Sequence, residues 1–163
     1  MIEISIYKDE YRQQVSDLIL DIQCNEFGVA ITLDDQPDLK DIAGFYKKPN
    51  GNFWIAVNDH LVVGTIALLD IGNSKGALRK MFVHKAYRGK EYGVGQKLLN
   101  TLLAWAKHKG YTEIFLGTTE KFVAAQRFYE KNGFIEIDKG SLPGAFPVMA
   151  VDVKFYNYHI SNE

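Results

Sequence analysis

ALRKMFVHKAYRGKEYGVGQKLLNTLLAWAKHKG, residues 77–110, reads as a strand, a glycine loop and a helix in succession. It opens on a period-2 run that points Ala77, Arg79, Met81 and Val83 one way and Leu78, Lys80, Phe82 and His84 the other. The loop Arg88-Gly89-Lys90-Glu91-Tyr92-Gly93-Val94-Gly95 follows. It runs into a helix whose Val94, Leu98, Leu102 and Trp105 recur at about 3.6 residues per turn, with Leu99, Leu103 and Ala106 beside them. Gly110 ends the helix, and Lys107 and Lys109 stand in its last turn, where cations suit the dipole. Unpaired N–H groups converge where a glycine turn enters a helix, and the dipole there favours negative charge. Glycine permits the positive φ angles and the close backbone approach that such a cradle needs. With Arg88 and Lys90 adding two cations, the stretch reads as a site for a phosphate or pyrophosphate. It is not a Walker loop, because Glu91 stands where Ser or Thr must follow Gly89-Lys90. It is not the dinucleotide fingerprint either, because Leu98 stands at the third glycine position.

Outward from this stretch the chain alternates elements. IEISIY (2–7) predicts a half-buried first strand, and residues 10–27 a helix with Tyr11, Val15, Leu18, Ile19 and Ile22 on one face. Residues 28–52 are the least regular; Asp34-Asp35-Gln36-Pro37-Asp38 opens a short helix through Ile42, Phe45 and Tyr46 that Pro49-Asn50-Gly51 ends. Asp34, Asp35, Asp38 and Asp41 read as a solvated face. FWIAV (53–57), the turn Asn58-Asp59-His60 and LVVGTIALLD (61–70) predict a hairpin that feeds the strand at 76–84. After the glycine-loop helix, EIFLGTT (113–119) predicts a buried strand, and Thr118 or Thr119 caps a helix with Phe122, Ala125 and Tyr129 on one face. FIEID (134–138) and VMAVDVKF (148–155) alternate as a last strand pair joined by a Gly/Pro loop. The order βααβββαβαββ implies an α/β fold in one domain spanning 1–163, a mixed sheet covered by about four helices.

At 163 residues the chain is long enough to bury a full core, and its 47% hydrophobic and 24% charged content is that of a globular protein. A net charge of −1 argues against a nucleic-acid binder. No apolar run approaches ~20 residues and the first residues lack a signal-peptide pattern, so no membrane partner and a cytoplasmic location are expected. The single cysteine, Cys24, cannot form an internal disulfide and reads as a small hydrophobe. His108 and His159 have no ligand-like neighbours at short spacing, so no metal site is expected.

The run YRGKEYGVGQKLL resembles the acetyl-CoA-binding motif of the GNAT superfamily of N-acetyltransferases, written Gln/Arg-x-x-Gly-x-Gly/Ala. AAQRFYEKNGF (124–134) resembles the next motif of the same superfamily. The likeness covers the whole chain in outline and residues 77–134 closely. It departs at one place: counted back from Gly93, the Arg/Gln position is Lys90. The resemblance implies a mixed, mainly antiparallel sheet with acetyl-CoA as co-substrate in a V-shaped gap between the splayed fourth and fifth strands, 76–84 and 113–119. It implies phosphates held by Arg88, Gly89, Lys90, Gly93, Val94, Gly95 and Gln96. The backbone of Met81, Phe82 and Val83 would pair with the pantetheine arm like an added strand, with Ala125 also at the cofactor. The activity implied is acetyl transfer to a primary amine of a small molecule or peptide; the alternative is a non-catalytic acyl-CoA-binding or sensing module.

Transfer to an amine needs a base and an acid. Tyr129 matches the family tyrosine that protonates the departing thiolate. For the base, Glu120 is the first carboxylate after the fifth strand, though a helix N-terminal acid also suits the dipole. His84 titrates in the right range as a residue type, but VHKAYRG resembles a family run in which this histidine only starts the loop. By resemblance Phe27, Leu33 and Tyr46 shape the acceptor pocket, or else pack the core. Arg79, an inward candidate on the fourth strand, anchors an acidic group on the acceptor or pairs with a structural carboxylate, since a buried arginine needs one or the other. The aromatic run Phe155-Tyr156-Asn157-Tyr158 offers an edge for a homodimer.

Overall fold

The computed structural model describes residues 1–161. Seven strands form one sheet in the order β1-β2-β3-β4-β5-β7-β6. They are β1 (Ile2–Ile6), β2 (Asn52–Asn58), β3 (Leu61–Asp70), β4 (Lys75–Val83), β5 (Glu113–Thr118), β6 (Ile135–Ile137) and β7 (Lys154–His159). All neighbours are antiparallel except β4 and β5. The helices are α1 (Arg12–Leu20), α2 (Ile42–Tyr46), α3 (Val94–His108) and α4 (Val123–Lys131). The mixed α/β architecture read from the chain is therefore present. No helix among the described residues is long and apolar enough to cross a membrane, and no group of three metal-ligating side chains occurs among them.

β2 and β3 are apolar on both faces because both faces are covered. On one side, Val94, Leu98, Leu99, Leu102 and Ala106 of α3 meet Trp54, Ala56, Val63, Ile66, Leu68 and Leu78. On the other, Val15, Leu18 and Ile19 of α1 and Ile42 and Tyr46 of α2 meet Phe53, Ile55, Val62 and Ala67. α1 passes directly into a wider π-turn at Asp21–Glu26, where the predicted single helix changes pitch. Asp41 caps α2, accepting the Gly44 N–H at 3.1 Å. Its neighbour Asp38 is 1% exposed and accepts the Tyr46 hydroxyl, which corrects the reading of that acidic run as a solvated face.

β4 does not keep one alternation along its length. Ala67 pairs with Arg79 and Thr65 with Phe82, so one residue of β3 faces both Lys80 and Met81. Lys80 sits at φ 53°, and its carbonyl accepts the Thr65 hydroxyl at 2.7 Å. This is a β-bulge, and it carries one extra residue through the strand. Its consequence corrects the expected faces: Leu78, Met81 and Val83 pack towards α3, while Ala77 and Phe82 pack on the opposite side. The successive side chains of Arg79 and Lys80 join that second side, against Phe45, Tyr46, Asp38 and Gln36.

β4 leaves its parallel neighbour at Leu78, just ahead of the bulge. Only Lys75, Gly76 and Ala77 pair with Glu113, Ile114 and Phe115. From Leu78 onward the edge of β4 that faces β5 has no strand partner among the described residues. The other side of β5 is taken by β7, paired from Glu113↔His159 to Thr118↔Lys154. The expected final strand at 148–155 is thus displaced. Residues 148–153 form a turn, in which Asp152 accepts the Met149 N–H at 3.0 Å and Val153 N–H reaches the Thr118 carbonyl at 3.0 Å. Phe155, Tyr156 and Asn157 lie inside the sheet between β5 and β6, and Tyr158 pairs with Ile114 of β5, so the run is not the free edge of the sheet that was expected.

Candidate active site

The gap between β4 and β5 opens into a cavity of about 490 Å³. Its walls come from the bulged half of β4, the loop at 87–90, the start of α3, the end of β5, α4, and the turn at 146–152. Chain divergence makes the cavity, and the bulge lies within the divergent half of β4.

One end is the glycine loop. Gly89 and Gly93 have φ of 111° and 59°, conformations that a side chain would strain. The first intrahelical bond of α3 is Lys97 N–H to Gly93 C=O at 3.0 Å, so the N–H groups of Val94, Gly95 and Gln96 precede it. A Cβ on Gly95 would meet Met81 and Phe128, two residues of the cavity wall. Arg88, Gly89, Lys90, Gly93, Gly95 and Gln96 all line the cavity. Val94 does not; its side chain is in the core beneath. Arg88 is committed elsewhere: its guanidinium grips Glu26 through both terminal nitrogens, with Nη2 to Oε1 at 2.8 Å, and Nε donates to the Val83 carbonyl at 2.8 Å. That pairing holds the Glu26 carboxyl below the usual range. Arg88 therefore braces the loop mouth against the π-turn, and Lys90 is the exposed cation beside the glycines.

The middle of the cavity is apolar. Met81, Phe82, Val83, Leu116, Ala125 and Phe128 line it, and Tyr129 stands among them at 5% exposure. Burial raises the pKa of the Tyr129 phenol, keeping it in the protonated form that a proton donor needs. Its ring packs on Phe134 and Tyr156, which fix it from behind.

The far end is polar. Arg79 stacks over Phe45 and Tyr46, with its guanidinium carbon 5.5 Å and 5.9 Å from the ring centres. Its hydrogen-bond contact is the weak thioether acceptor of Met149, at 3.5 Å. Lys80 is nearly enclosed: its side chain is 6% exposed, Nζ donates to Gln36 Oε1 at 2.6 Å, and Asp38 is 3.6 Å away. Gln36 in turn exchanges hydrogen bonds with Gln23 at 3.0 Å and 2.9 Å. Burial pushes the Lys80 ammonium down to about 8, partly offset by Asp38. Asp152 lines the same end and is raised by burial, with the Met149 N–H, Arg79 and Lys80 opposing.

Of the side chains expected at an acceptor pocket, Phe27 and Arg79 line the cavity and Leu33 and Tyr46 do not. Tyr46 is fully buried in the α1–α2 core, and Leu33 packs against that same core. Glu120, expected as the base, is exposed on the turn after β5 and is not part of the cavity wall. β5 ends at Thr118, so the chain has already turned outward at Glu120. Sequence reading missed Asp152, Lys80, Gln23, Phe146 and Met149; the visible signal was one aspartate in the otherwise apolar run 148–153.

A divergent β4–β5 pair and a glycine-capped helix are the features that the two sequence motifs lead one to expect. The family model for the acetyltransferase (GNAT) family matches residues 16–134. The chain belongs to the GNAT family. Among solved GNAT structures, an acetyltransferase of Staphylococcus aureus is 43% identical with a TM-score of 0.96, covering 99% of this chain and 100% of that one. The N-acetylaspartate synthetase of Homo sapiens is 35% identical over 133 residues, 76% of this chain and 43% of that protein. This GNAT chain thus spans less than half the length of that curated relative. At the level of the fold alone, an N-acetyltransferase of Thermoplasma acidophilum solved with coenzyme A matches with a TM-score of 0.71 at 20% identity, covering 98% of this chain and 99% of that one.

Proposed function

We propose that residues 1–163 act as one catalytic domain that moves an acetyl group from acetyl-CoA to the primary amine of a small molecule. The observation that carries this is the single cavity joining the N-terminus of α3 to Tyr129 and on to the polar end at Arg79. Its 490 Å³ suits an extended arm and a small acceptor together. Acetyl-CoA supplies an acetyl group activated as a thioester. The N–H groups of Val94, Gly95 and Gln96, with Lys90, hold its phosphates. The unpaired edge of β4 at Met81–Val83 hydrogen-bonds the pantetheine arm and presents an N–H to the thioester carbonyl. Ala125 leaves room for the arm on α4, and Tyr129 gives a proton to the departing sulfur. At the acceptor end, Phe27 bounds the space and Arg79 binds an acidic group, since its guanidinium has a thioether where a carboxylate would pair far better. The 35% identity to N-acetylaspartate synthetase supports acidic amino acids as the first acceptors to try.

The test is thiol release from acetyl-CoA with aspartate, glutamate, other amino acids, polyamines and short peptides, beside a calorimetric titration of acetyl-CoA. Release with amines that carry a carboxylate, and little with polyamines, is the expected result. Tight binding with no release from any amine turns the reading towards an acyl-CoA-binding module. Absence of binding overturns the cradle.

A further inference from the structure

An amine arrives at neutral pH mostly as ammonium and must lose a proton before it can attack. The cavity offers few groups to take it. Among the described residues that line it, Asp152 is the only carboxylate and there is no histidine. Glu120 is outside, Tyr129 is placed at the departing sulfur, and Lys80 is turned into the Gln36–Asp38 network.

We propose that Asp152 is the catalytic residue that pairs with the acceptor ammonium and takes its proton. The placement is built by three local features. The turn 149–152 closes on itself through Asp152 Oδ2 and the Met149 N–H, and Val153 N–H ties the turn to the end of β5. The carboxylate lies against Gly117: a Cβ there would stand 2.8 Å from Oδ2, so only glycine on β5 lets it reach this position. Arg79 and Lys80 on β4 are the charged groups that act on it; burial raises its pKa, and both cations oppose that rise by favouring the carboxylate. An acceptor carboxylate bound at Arg79 neutralises that influence, so Asp152 becomes more basic when the acceptor is in place.

The assignment rests on the acetyltransferase reading above. In the balanced step, the ammonium gives one proton to Asp152, the nitrogen–carbon bond forms and the carbon–sulfur bond breaks. The second nitrogen proton replaces the one that Tyr129 gives to sulfur, and Asp152 later releases its proton to water. Amide, thiol and one proton result from ammonium and thioester.

The test is Asp152→Asn, which keeps the side-chain size and an oxygen for the Met149 N–H. With the fastest acceptor of the panel, kcat/KM at pH 7 should fall about 100-fold or more, with acetyl-CoA affinity unchanged. The parent profile should be level near neutrality, whereas the variant should rise tenfold per pH unit towards the acceptor amine's own pKa, because it depends on amine already deprotonated. A purely structural role lowers the profile without changing its shape, and that result overturns the proposal. A second readout needs no turnover. With coenzyme A present, the parent should bind L-aspartate at least about tenfold more tightly than succinate, which lacks the amine, and Asp152→Asn should lose that preference. Equal preferences in the two proteins, or no binding of either ligand to the parent, also overturn it. If the parent releases no thiol with any amine, the acetyltransferase reading fails by itself, and the aspartate–succinate comparison still decides whether Asp152 holds an ammonium.

Discussion

Lys80 makes stability depend on pH in a direction opposite to that of most proteins in alkali. Its ammonium is buried behind the bulge, and burial lowers it from 10.5 in an ordinary lysine to about 8. In the unfolded chain it titrates near the ordinary value. The native state therefore holds fewer protons than the unfolded state between about pH 8 and 10.5, and stability must rise with pH across that window. Below pH 8 both states are protonated, and the native state carries the full penalty of the lowered value, about 3 kcal/mol at ~1.4 kcal/mol per unit. Integrating the two titrations from pH 8 to 10 gives a gain of about 2 kcal/mol. The reference protein is the double variant Lys80→Met with Asp38→Asn, which removes the titrating pair together and leaves no lone buried charge. Urea unfolding of both proteins at half-unit steps from pH 7 to 10 should show the parent gaining about 2 kcal/mol on the double variant. Parallel curves, or a parent that loses ground as pH rises, would refute both the burial of Lys80 and the bulge that turns it inward.

Three further outcomes are expected. Tyr129→Phe should lower kcat about 100-fold while acetyl-CoA affinity and the melting temperature hold, because the hydroxyl makes no hydrogen bond to another described residue; an unchanged kcat removes its role as acid. Arg79→Ala should raise KM for carboxylate-bearing acceptors by about 10- to 100-fold, read against an unchanged acetyl-CoA titration. Gly51→Ala should destabilise by about 3 kcal/mol in a thermal scan, because its Cβ would stand 2.3 Å from the carbonyl oxygens of both Leu68 and Tyr46.

Legibility in the sequence followed the range of the interaction that sets each feature. The hairpin at 52–70 and the helix at 94–108 declare themselves because alternation and helical spacing are local. The bulge does not, since one residue inserted between Arg79 and Met81 leaves composition untouched and only inverts which side each later residue faces. Period counting therefore placed Lys80 beside Leu78, when it lies beside Arg79. The run 148–153 alternates well enough to pass for a strand. Its own Asp152 closes a turn there, and the ladder with β5 begins only at Lys154. The glycine cradle was legible because motif and geometry coincide. The acceptor end was not, because Gln23, Gln36, Asp38, Lys80 and Asp152 converge from four separate segments, and no pattern along the chain marks polar groups that meet only after folding.

The insertion of β7 between β5 and β6 also constrains how the molecule comes into being. During synthesis β6 leaves the ribosome before β7, yet among the described residues its only ladder is with β7, so β6 has no strand to dock on until the later one arrives. Until then β5 presents an unpaired edge, with Ile114 and Leu116 still lacking the cover that Tyr156 and Tyr158 bring. Completion of the sheet and closure of the cavity wall at Asp152 are therefore one late event, and a nascent chain halted before residue 154 carries an open strand edge that invites pairing with another chain.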